Sequence, residues 1–273
     1  MTGIYLRALA ASLLVAGGTA FAQESQPAAP AAAQERQQQF PDVAGPDVIE
    51  GEVEPEAVEA LKRMSAFLLS LNSIGLVSES SLDAVTNDGQ RIQMDAVTNY
   101  KVRKPNGFVI DYQSAMKPRR FYYDGKTFTV YSPKLGFYAQ APAPATNKEV
   151  LDTIYQRYGI ALPLEDLFRW GDNEERIAKL RSAYEVGPAI VDGVETNHYA
   201  FREENIDWEL WTEKGDRPIP RKLVIVDRTD PARPTFTARL KWTLNPTFTD
   251  ADFTYVPDKD AKRIQLATYK EGE

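Results

Sequence analysis

The sequence has no cysteine and a single histidine, His198. Thiol catalysis, thiolate zinc sites and the two-histidine zinc motif are excluded, because each needs residues that the chain lacks. The sequence also has no phosphate-binding loop, no dinucleotide glycine fingerprint and no Gly-x-Ser-x-Gly elbow. A serine hydrolase would have to use His198 as its base, and a hydrogen-bonded structural histidine is the commoner role for such a residue within a strand. We therefore predict a protein that is not an enzyme and has no catalytic residue, cofactor or metal site.

Long apolar runs are missing as well. The run over residues 8–15 is far shorter than the roughly 20 residues that a membrane-spanning helix needs. It follows the positive charge of Arg7 and precedes a small-x-small triplet at residues 20–22, which is the pattern of a secretory signal peptide. The sequence therefore predicts a signal peptide over residues 1–22, a periplasmic protein and no stable membrane insertion.

An excess of basic residues is also absent. The chain has 32 lysines and arginines against 39 acidic residues, which gives a formal net charge of −7. A nucleic-acid-binding protein needs a basic surface, and an acidic protein is repelled by anionic lipid head groups. Neither nucleic acid nor an anionic lipid surface is therefore expected as a partner.

Residues 23–52 are rich in alanine, proline and glutamine and contain few large apolar side chains. Such a composition buries too little surface to offset the entropy lost on ordering. We interpret this segment as a disordered tether. Order is expected to begin near Pro55, where apolar residues recur at helical spacing up to Asn72 and Ser73.

From Leu76 onwards the apolar pattern alternates, and turn signals such as Asp124-Gly125 recur at short intervals, which predicts about six hairpin strands. Residues 146–183 interrupt this pattern. They predict a helix capped by Asn147, a second at Pro163 to Trp170 and a third at Asp172 to Tyr184. Strands then resume. The clearest is Thr235 to Leu244, with one apolar and one polar face.

About a dozen antiparallel strands with helices at two places favour one large curved sheet. The predicted fold class is α+β and mainly antiparallel β, an incomplete, half-closed β-barrel whose concave face is covered by helices. No linker separates the strand blocks, so residues 53–273 are expected to form a single domain.

Acidic pairs give no clear site. Adjacent residues of a strand point to opposite faces, so Glu203 and Glu204 converge only if the strand ends there, and Asp250 with Asp252 lacks the glycine and other ligands of a calcium loop. We interpret both pairs as solvated turns.

Aromatic residues are the positive signal, because they crowd both strand blocks. They have two interpretations, an ordinary core or the wall of an apolar ligand cavity, and the sequence does not separate them. The candidates for a cavity wall are Phe108, Ile110, Tyr112, Phe128, Tyr155, Tyr158, Tyr199, Phe201, Trp208, Trp211, Phe236 and Trp242.

The order of the motifs resembles a known superfamily. The run from Tyr100 to Phe108, with its basic residues before Pro105, is followed by an Asp-Gly hairpin at Asp124 and a Tyr-x-Pro turn at Tyr131. This order is similar to the LolA/LolB-like periplasmic lipoprotein carriers. The second half, including Asp207 to Trp211, looks more like a family of predicted periplasmic proteins of unknown function in the same fold group. The resemblance covers roughly residues 55–266.

The resemblance implies a LolA-like domain over residues 53–273, with helices that cover an apolar cavity. It transfers no binding residue, because no functional position aligns with confidence. The function that we predict is a soluble, non-enzymatic carrier or sensor of a hydrophobic ligand, such as an acyl chain, a lipoprotein or another small amphiphile. The alternative is a periplasmic protein-interaction module, since the same fold group includes an envelope-stress regulator that binds a protein partner.

Overall fold

The computed structural model describes residues 51–162, 164 and 174–268. The predicted signal peptide, nearly all of the predicted tether and the helix expected at Pro163 to Trp170 lie outside the described residues, apart from Leu164 in the last of these. The first described segment pairs with a strand far along the chain. Ala183 N donates to Glu52 O at 3.0 Å, and Glu54 N donates to Ala183 O at 2.8 Å.

Twelve strands and three α-helices make up the described part of the chain. The helices are α1 (Pro55–Ser70), α2 (Asn147–Tyr158) and α3 (Glu174–Ile177), and a 3₁₀ turn spans Asp250–Asp252. The strands are β1 (Ser73–Val85), β2 (Arg91–Arg103), β3 (Phe108–Gln113), β4 (Arg119–Tyr123), β5 (Thr127–Ser132), β6 (Phe137–Pro142), β7 (Ser182–Val191), β8 (Val194–Arg202), β9 (Ile206–Glu213), β10 (Pro220–Asp227), β11 (Thr235–Leu244) and β12 (Lys262–Ile264).

All twelve strands belong to one sheet in the order β12-β6-β5-β4-β3-β2-β1-β11-β10-β9-β8-β7. Every neighbouring pair is antiparallel except β12 and β6, which run parallel. The sheet has two edges, at β12 and at β7, so it is not closed. The predicted fold class is confirmed: an α+β, mainly antiparallel, open half-barrel.

The two faces of the sheet differ sharply in burial. In β11, Phe236, Ala238 and Leu240 are buried, whereas Arg239 and Lys241 are exposed. The buried side chains join those of α1 and α2 in one apolar cluster, so the helices cover this face, which we call the concave face. The opposite face is the convex face. The alternation predicted for Thr235 to Leu244 is confirmed.

Helix α1 forms because its apolar residues recur along one side and because Pro55, at the start of the helix, has no backbone N–H to leave unpaired. Leu61, Met64 and Leu68 are buried against the sheet. The helix ends at Ser70, two residues before the predicted end. Leu71 is already extended, and its backbone N–H donates to Leu68 O.

Helix α2 is capped by Thr146, whereas the sequence predicts Asn147 as the capping residue. The Thr146 hydroxyl accepts from Glu149 N, and the Glu149 carboxylate accepts from Thr146 N, which is a capping box. Asn147 is the first helical residue, and its side-chain amide donates to Arg103 O at 2.9 Å. The prediction placed the cap one residue late because both residue types are good caps.

The helix predicted from Asp172 to Tyr184 is wrong over its second half. Only Glu174–Ile177 is helical among the described residues of that range, and Ser182 already begins β7. Ala183 pairs with Phe201 of β8, and the opposite side of the backbone bonds to Glu52 and Glu54. Pairing with segments distant in sequence therefore overrides the local helical pattern.

The last described residues form a strap across the convex face of β2 to β6. This C-terminal strap (residues 245–264) buries Phe253 against Gly107, whose positive φ of +112° suits glycine. Next to it, Arg103 lies 4.6 Å from the Phe253 ring centroid. The strap ends in β12, which adds a parallel strand to the edge of β6.

Candidate functional site

Most of the predicted cavity-wall residues lie together on the concave face. Seven of them are buried in the apolar cluster that joins the sheet to the helices: Phe108, Ile110, Phe128, Tyr199, Phe201, Trp208 and Phe236. Tyr158 and Trp242 are partly buried against the same cluster. Tyr112 is half-buried on the concave face of β3, where it pairs with Thr98, and Tyr155 is half-buried on α2.

These aromatic side chains contact one another closely. Phe201 and Trp208 stack with ring centroids 3.9 Å apart and an interplanar angle of 14°. At the other end of the sheet, Phe108 lies 5.3 Å from Tyr123 and 6.4 Å from Phe128. In the described state these rings pack as a core, so a ligand would enter only if the helices shifted away from the sheet.

Trp211 lies on the convex face, apart from the other candidates. It pairs with His198 of β8 and stacks on the imidazole with centroids 3.9 Å apart, and Lys222 Nζ lies 4.1 Å from its ring. His198 Nε2 is 2.7 Å from Glu209 Oε2. Trp208 and Trp211 are three residues apart on one strand, and this odd spacing places them on opposite faces. The sequence prediction missed the separation because it grouped the aromatic residues by type and not by strand face. Desolvation by burial lowers the pKa of Lys222, and nearby Arg239 adds to the effect.

The middle of the concave face has a floor of small and hydroxyl-bearing side chains. Ser78 of β1 is paired with Thr98 of β2, and Ala238 of β11 lies close by; all three are buried. On α1, Ser65 buries a hydroxyl for which the described residues provide no hydrogen-bond partner. Small residues where the strands are longest leave the overlying helices less interlocked with the sheet than large ones would.

Towards the end of the sheet at the β3–β4 and β5–β6 turns, the concave face becomes less buried. Leu82, Met94, Tyr112, Phe121 and Val130 point to this face by register and are half-buried. We call this set the apolar mouth. Leu82, Phe121 and Val130 also contact the packed core, so apolar surface runs without a break from the interior to this end of the barrel.

Arg119 lies at the edge of the apolar mouth. It begins β4 directly opposite Tyr112, and its Nη1 donates to Ser132 Oγ at 2.8 Å and to Pro118 O at 2.9 Å. No carboxylate among the residues that the structure describes forms an ion pair with it. A guanidinium that is bound only by neutral oxygens keeps its positive charge and has further N–H donors for an anionic group.

Two of the cavities outlined by the described residues lie away from the helix-covered face. The larger, about 610 Å³, is an open groove on the convex face, lined by Glu79, Val97 and Arg239 among others. The second, about 400 Å³, is more polar and lies between residues 178–181 and residues 203–206. Among the described residues no cluster of acidic and histidine side chains could hold a metal ion, and no described helix is long and apolar enough to cross a membrane.

Buried tyrosines predict an alkaline limit to stability. Burial raises the pKa of Tyr123 and of Tyr255 to about 12, and it also raises the pKa of Tyr100 and Tyr199. Each phenol keeps its proton in the folded state at a pH where the unfolded chain has lost it. This contribution to stability is therefore complete below pH 10 and is lost as the pH rises towards 12.

The measurement is denaturant unfolding from neutral pH upwards, together with the ultraviolet absorbance of tyrosinate. We expect the free energy of unfolding to fall above about pH 10 and the buried phenols to ionise together with unfolding. Full tyrosine ionisation near pH 10, with the fold intact, would contradict the burial of these side chains.

The chain belongs to a family described as predicted periplasmic proteins (DUF2092), whose model matches residues 57–267. This match confirms the family resemblance deduced from the motifs. A comparison with curated proteins gives no significant match.

Several solved structures are distantly similar to this chain. They include an uncharacterized conserved protein from Thermus thermophilus, with 12% identity, a TM-score of 0.43, and 77% of this chain and 99% of that chain covered. The lipoprotein LppX of Mycobacterium tuberculosis has 9% identity and a TM-score of 0.42, with 72% and 98% covered. The MucA/MucB complex of Pseudomonas aeruginosa has 12% identity and a TM-score of 0.42, with 74% and 61% covered. At these values no function is transferred to this chain.

Proposed function

We propose that this member of the DUF2092 family is a non-enzymatic periplasmic carrier or sensor of an amphiphile, whose acyl chain enters the concave face through the apolar mouth. The observation that carries the proposal is the unbroken apolar surface from the half-buried mouth to the packed core. Half-buried apolar side chains beside a core can gain burial from a ligand without first losing much packing.

The floor supports the same proposal. Ligand entry needs the helices to separate from the sheet, and this separation costs least where the contacting side chains are small. Ser78, Thr98 and Ala238 are such side chains, buried on the concave face of β1, β2 and β11. The buried hydroxyl of Ser65 would gain a hydrogen bond from an ester or carboxyl oxygen that reached it.

The charge at the mouth favours an anionic head group. Arg119 is held at the edge of the apolar mouth by the two neutral oxygens of Ser132 and Pro118. A carboxylate or phosphate beside it would form a charge-assisted hydrogen bond, while the attached chain lay along Tyr112 and Val130. A fatty acid is the simplest molecule that has both an anionic head group and an apolar chain.

The test is a binding titration with palmitic acid, followed by tryptophan fluorescence and by the melting temperature. Val130→Ser removes apolar surface from the mouth and is expected to weaken binding by about tenfold, the effect of losing the burial of one valine. Val224→Ser is the matched control, because Val224 is also a half-buried strand valine but lies on the convex face. Circular dichroism checks that both variants fold.

Two further measurements test the role of the head-group charge and look for a ligand bound in the cell. Arg119→Gln should weaken palmitic acid binding and leave hexadecanol binding unchanged, since only the acid carries the charge. Native mass spectrometry of protein purified from a periplasm without detergent should show a bound amphiphile. A protein that binds neither probe and instead retains a stoichiometric protein partner would replace this proposal with the alternative, an interaction module.

A further inference from the structure

A row of polar side chains crosses the concave face from strand to strand. Ser78 of β1 pairs with Thr98 of β2, and Thr98 pairs with Tyr112 of β3. Tyr112 pairs in turn with Arg119 of β4, whose Nη1 donates to Ser132 Oγ of β5 at 2.8 Å. These five residues, which we call the polar row, therefore lie side by side on five neighbouring strands.

The polar row leads from the apolar mouth into the interior. Arg119 and Tyr112 are half-buried, whereas Thr98 is 2% exposed and Ser78 is 1% exposed. Neighbouring strands are about 4.8 Å apart, so Thr98 lies about 10 Å and Ser78 about 14 Å from Arg119 along the row. The row therefore has a charge at the mouth and buried hydroxyl groups at its inner end.

The surroundings of the row are mainly apolar and lack an opposing charge. The adjacent row on the same face consists of Leu76, Tyr100, Ile110, Phe121 and Val130. Asp88, in the β1–β2 turn, accepts a hydrogen bond from Thr86 Oγ1. The acidic residues of β1 to β3 point to the convex face by register: Glu79, Asp83, Asp95 and Asp111. In strands β1 to β5, all of them described, only Arg119 places a charge on the concave face.

The buried hydroxyl groups are not fully satisfied by the protein. Ser65 lies on the stripe of α1 that packs against the sheet with Leu61 and Leu68, and it is 1% exposed. The described residues provide no hydrogen-bond partner for its hydroxyl. Thr98 is hydrogen-bonded with Tyr100, but a hydroxyl has one donor and two acceptor sites, so it can bind a further group. Because an unpaired buried hydroxyl costs free energy, these groups favour a ligand that supplies a partner.

We propose that the amphiphile carries a hydroxyl group near the middle of its acyl chain, and that Thr98, Ser78 and Ser65 bind this hydroxyl while Arg119 binds the head group. The inference rests on the proposed function and names the ligand class. A plain acyl chain would cover the buried hydroxyls with methylene groups and leave them unpaired. A site that hydrogen-bonds a ligand hydroxyl discriminates against the analogue that lacks it. The distance of Thr98 and Ser78 from Arg119 places the ligand hydroxyl well along the chain and not beside the carboxylate.

The test compares three fatty acids of one length on the full-length protein. They are stearic acid, stearic acid with a hydroxyl at the middle of its chain, and stearic acid with a hydroxyl on its last carbon. The mid-chain hydroxy acid is expected to bind about fivefold to tenfold more tightly than stearic acid, the effect of one hydrogen bond to a buried group. The acid with the terminal hydroxyl is the control for polarity, and we expect it to bind no more tightly than stearic acid.

Variants of the polar row assign the preference to its residues. Ser78→Ala with Thr98→Val removes two hydroxyls with little change in volume and is expected to abolish the preference for the mid-chain hydroxyl. Ser80→Ala is the matched control and should keep it, because Ser80 is on the same face of β1 but its Oγ already donates to Ala96 O at 3.3 Å. Ser65→Ala should reduce the preference without lowering the melting temperature, since it removes a buried hydroxyl that has no partner.

The outcomes separate this inference from the proposed function. Equal affinities for stearic acid and its mid-chain hydroxy derivative, in a protein that binds both, would overturn the inference and leave the proposed function standing. A preference that the terminal hydroxyl also produced, or that the double variant retained, would overturn it as well. The comparison of the three acids on the unaltered protein decides the matter even if a variant does not fold. No binding of any of the three acids would overturn the proposed function and this inference together.

Discussion

Replacing Trp208 by alanine is expected to lower the free energy of unfolding by about 3–5 kcal/mol, the range for truncating a buried aromatic side chain. Trp208 is 2% exposed and stacks on Phe201 with ring centroids 3.9 Å apart, within the cluster that joins the sheet to the helices. The cavity left behind cannot collapse readily, because the strands on both sides are fixed by their ladders.

The comparison variant is Trp242→Ala. Trp242 is on the concave face but only partly buried, and its indole N–H donates to Pro220 O at 2.6 Å. We therefore expect a smaller loss, about 1–3 kcal/mol. Denaturant unfolding followed by circular dichroism gives both values. If Trp208→Ala cost no more than Trp242→Ala, the interior around Trp208 would have to be open to solvent.

Replacing Phe253 by alanine is expected to have an effect of the same size, about 3–5 kcal/mol. Phe253 is 1% exposed although it belongs to a strap on the convex face, because its ring packs against Gly107 and the guanidinium of Arg103. Its loss would release the strap and uncover the three tyrosines, at positions 122, 131 and 138, that surround Tyr255.

Phe248→Ala is the matched control for this prediction. Phe248 belongs to the same strap and contacts the Phe253 ring, but it is only half-buried. We expect Phe248→Ala to lower the free energy of unfolding by less than half as much as Phe253→Ala does. Hydrogen exchange on both variants should show faster exchange in β12 and β6 for Phe253→Ala alone. Equal and small losses for the two variants would mean that the strap contributes little to stability.

The sequence predicted the class of fold and the dry face of β11, for identifiable physical reasons. Strands that cover one face with a core must alternate, so Phe236, Ala238 and Leu240 reveal their common side in the sequence itself. Turn residues such as Asp124-Gly125 mark hairpins because few residues accept a positive φ. These are local properties, and they were sufficient for six strands between Ser73 and Pro142.

Where the sequence prediction was wrong, pairing across long separations decided the structure. Residues 182–184 have a helical pattern but form a strand, because β8 and the segment at Glu52 both bond to them. Likewise the strap was not predicted, since nothing near Phe253 in the sequence indicates that its partner is Gly107.

For the site, the sequence determined the residue types and the tertiary structure determined their arrangement. The lack of cysteine, the single histidine and the many aromatics follow from composition alone. The net charge of −7 gave no sign of the arginine, Arg119, at the edge of the apolar mouth, because a sum over the chain carries no positions. Only the antiparallel sheet places the β3–β4 turn beside the β5–β6 turn, since contacts between strands depend on register, and register is set by the whole fold. The separation of Trp211 from Trp208 follows instead from their odd spacing on one strand.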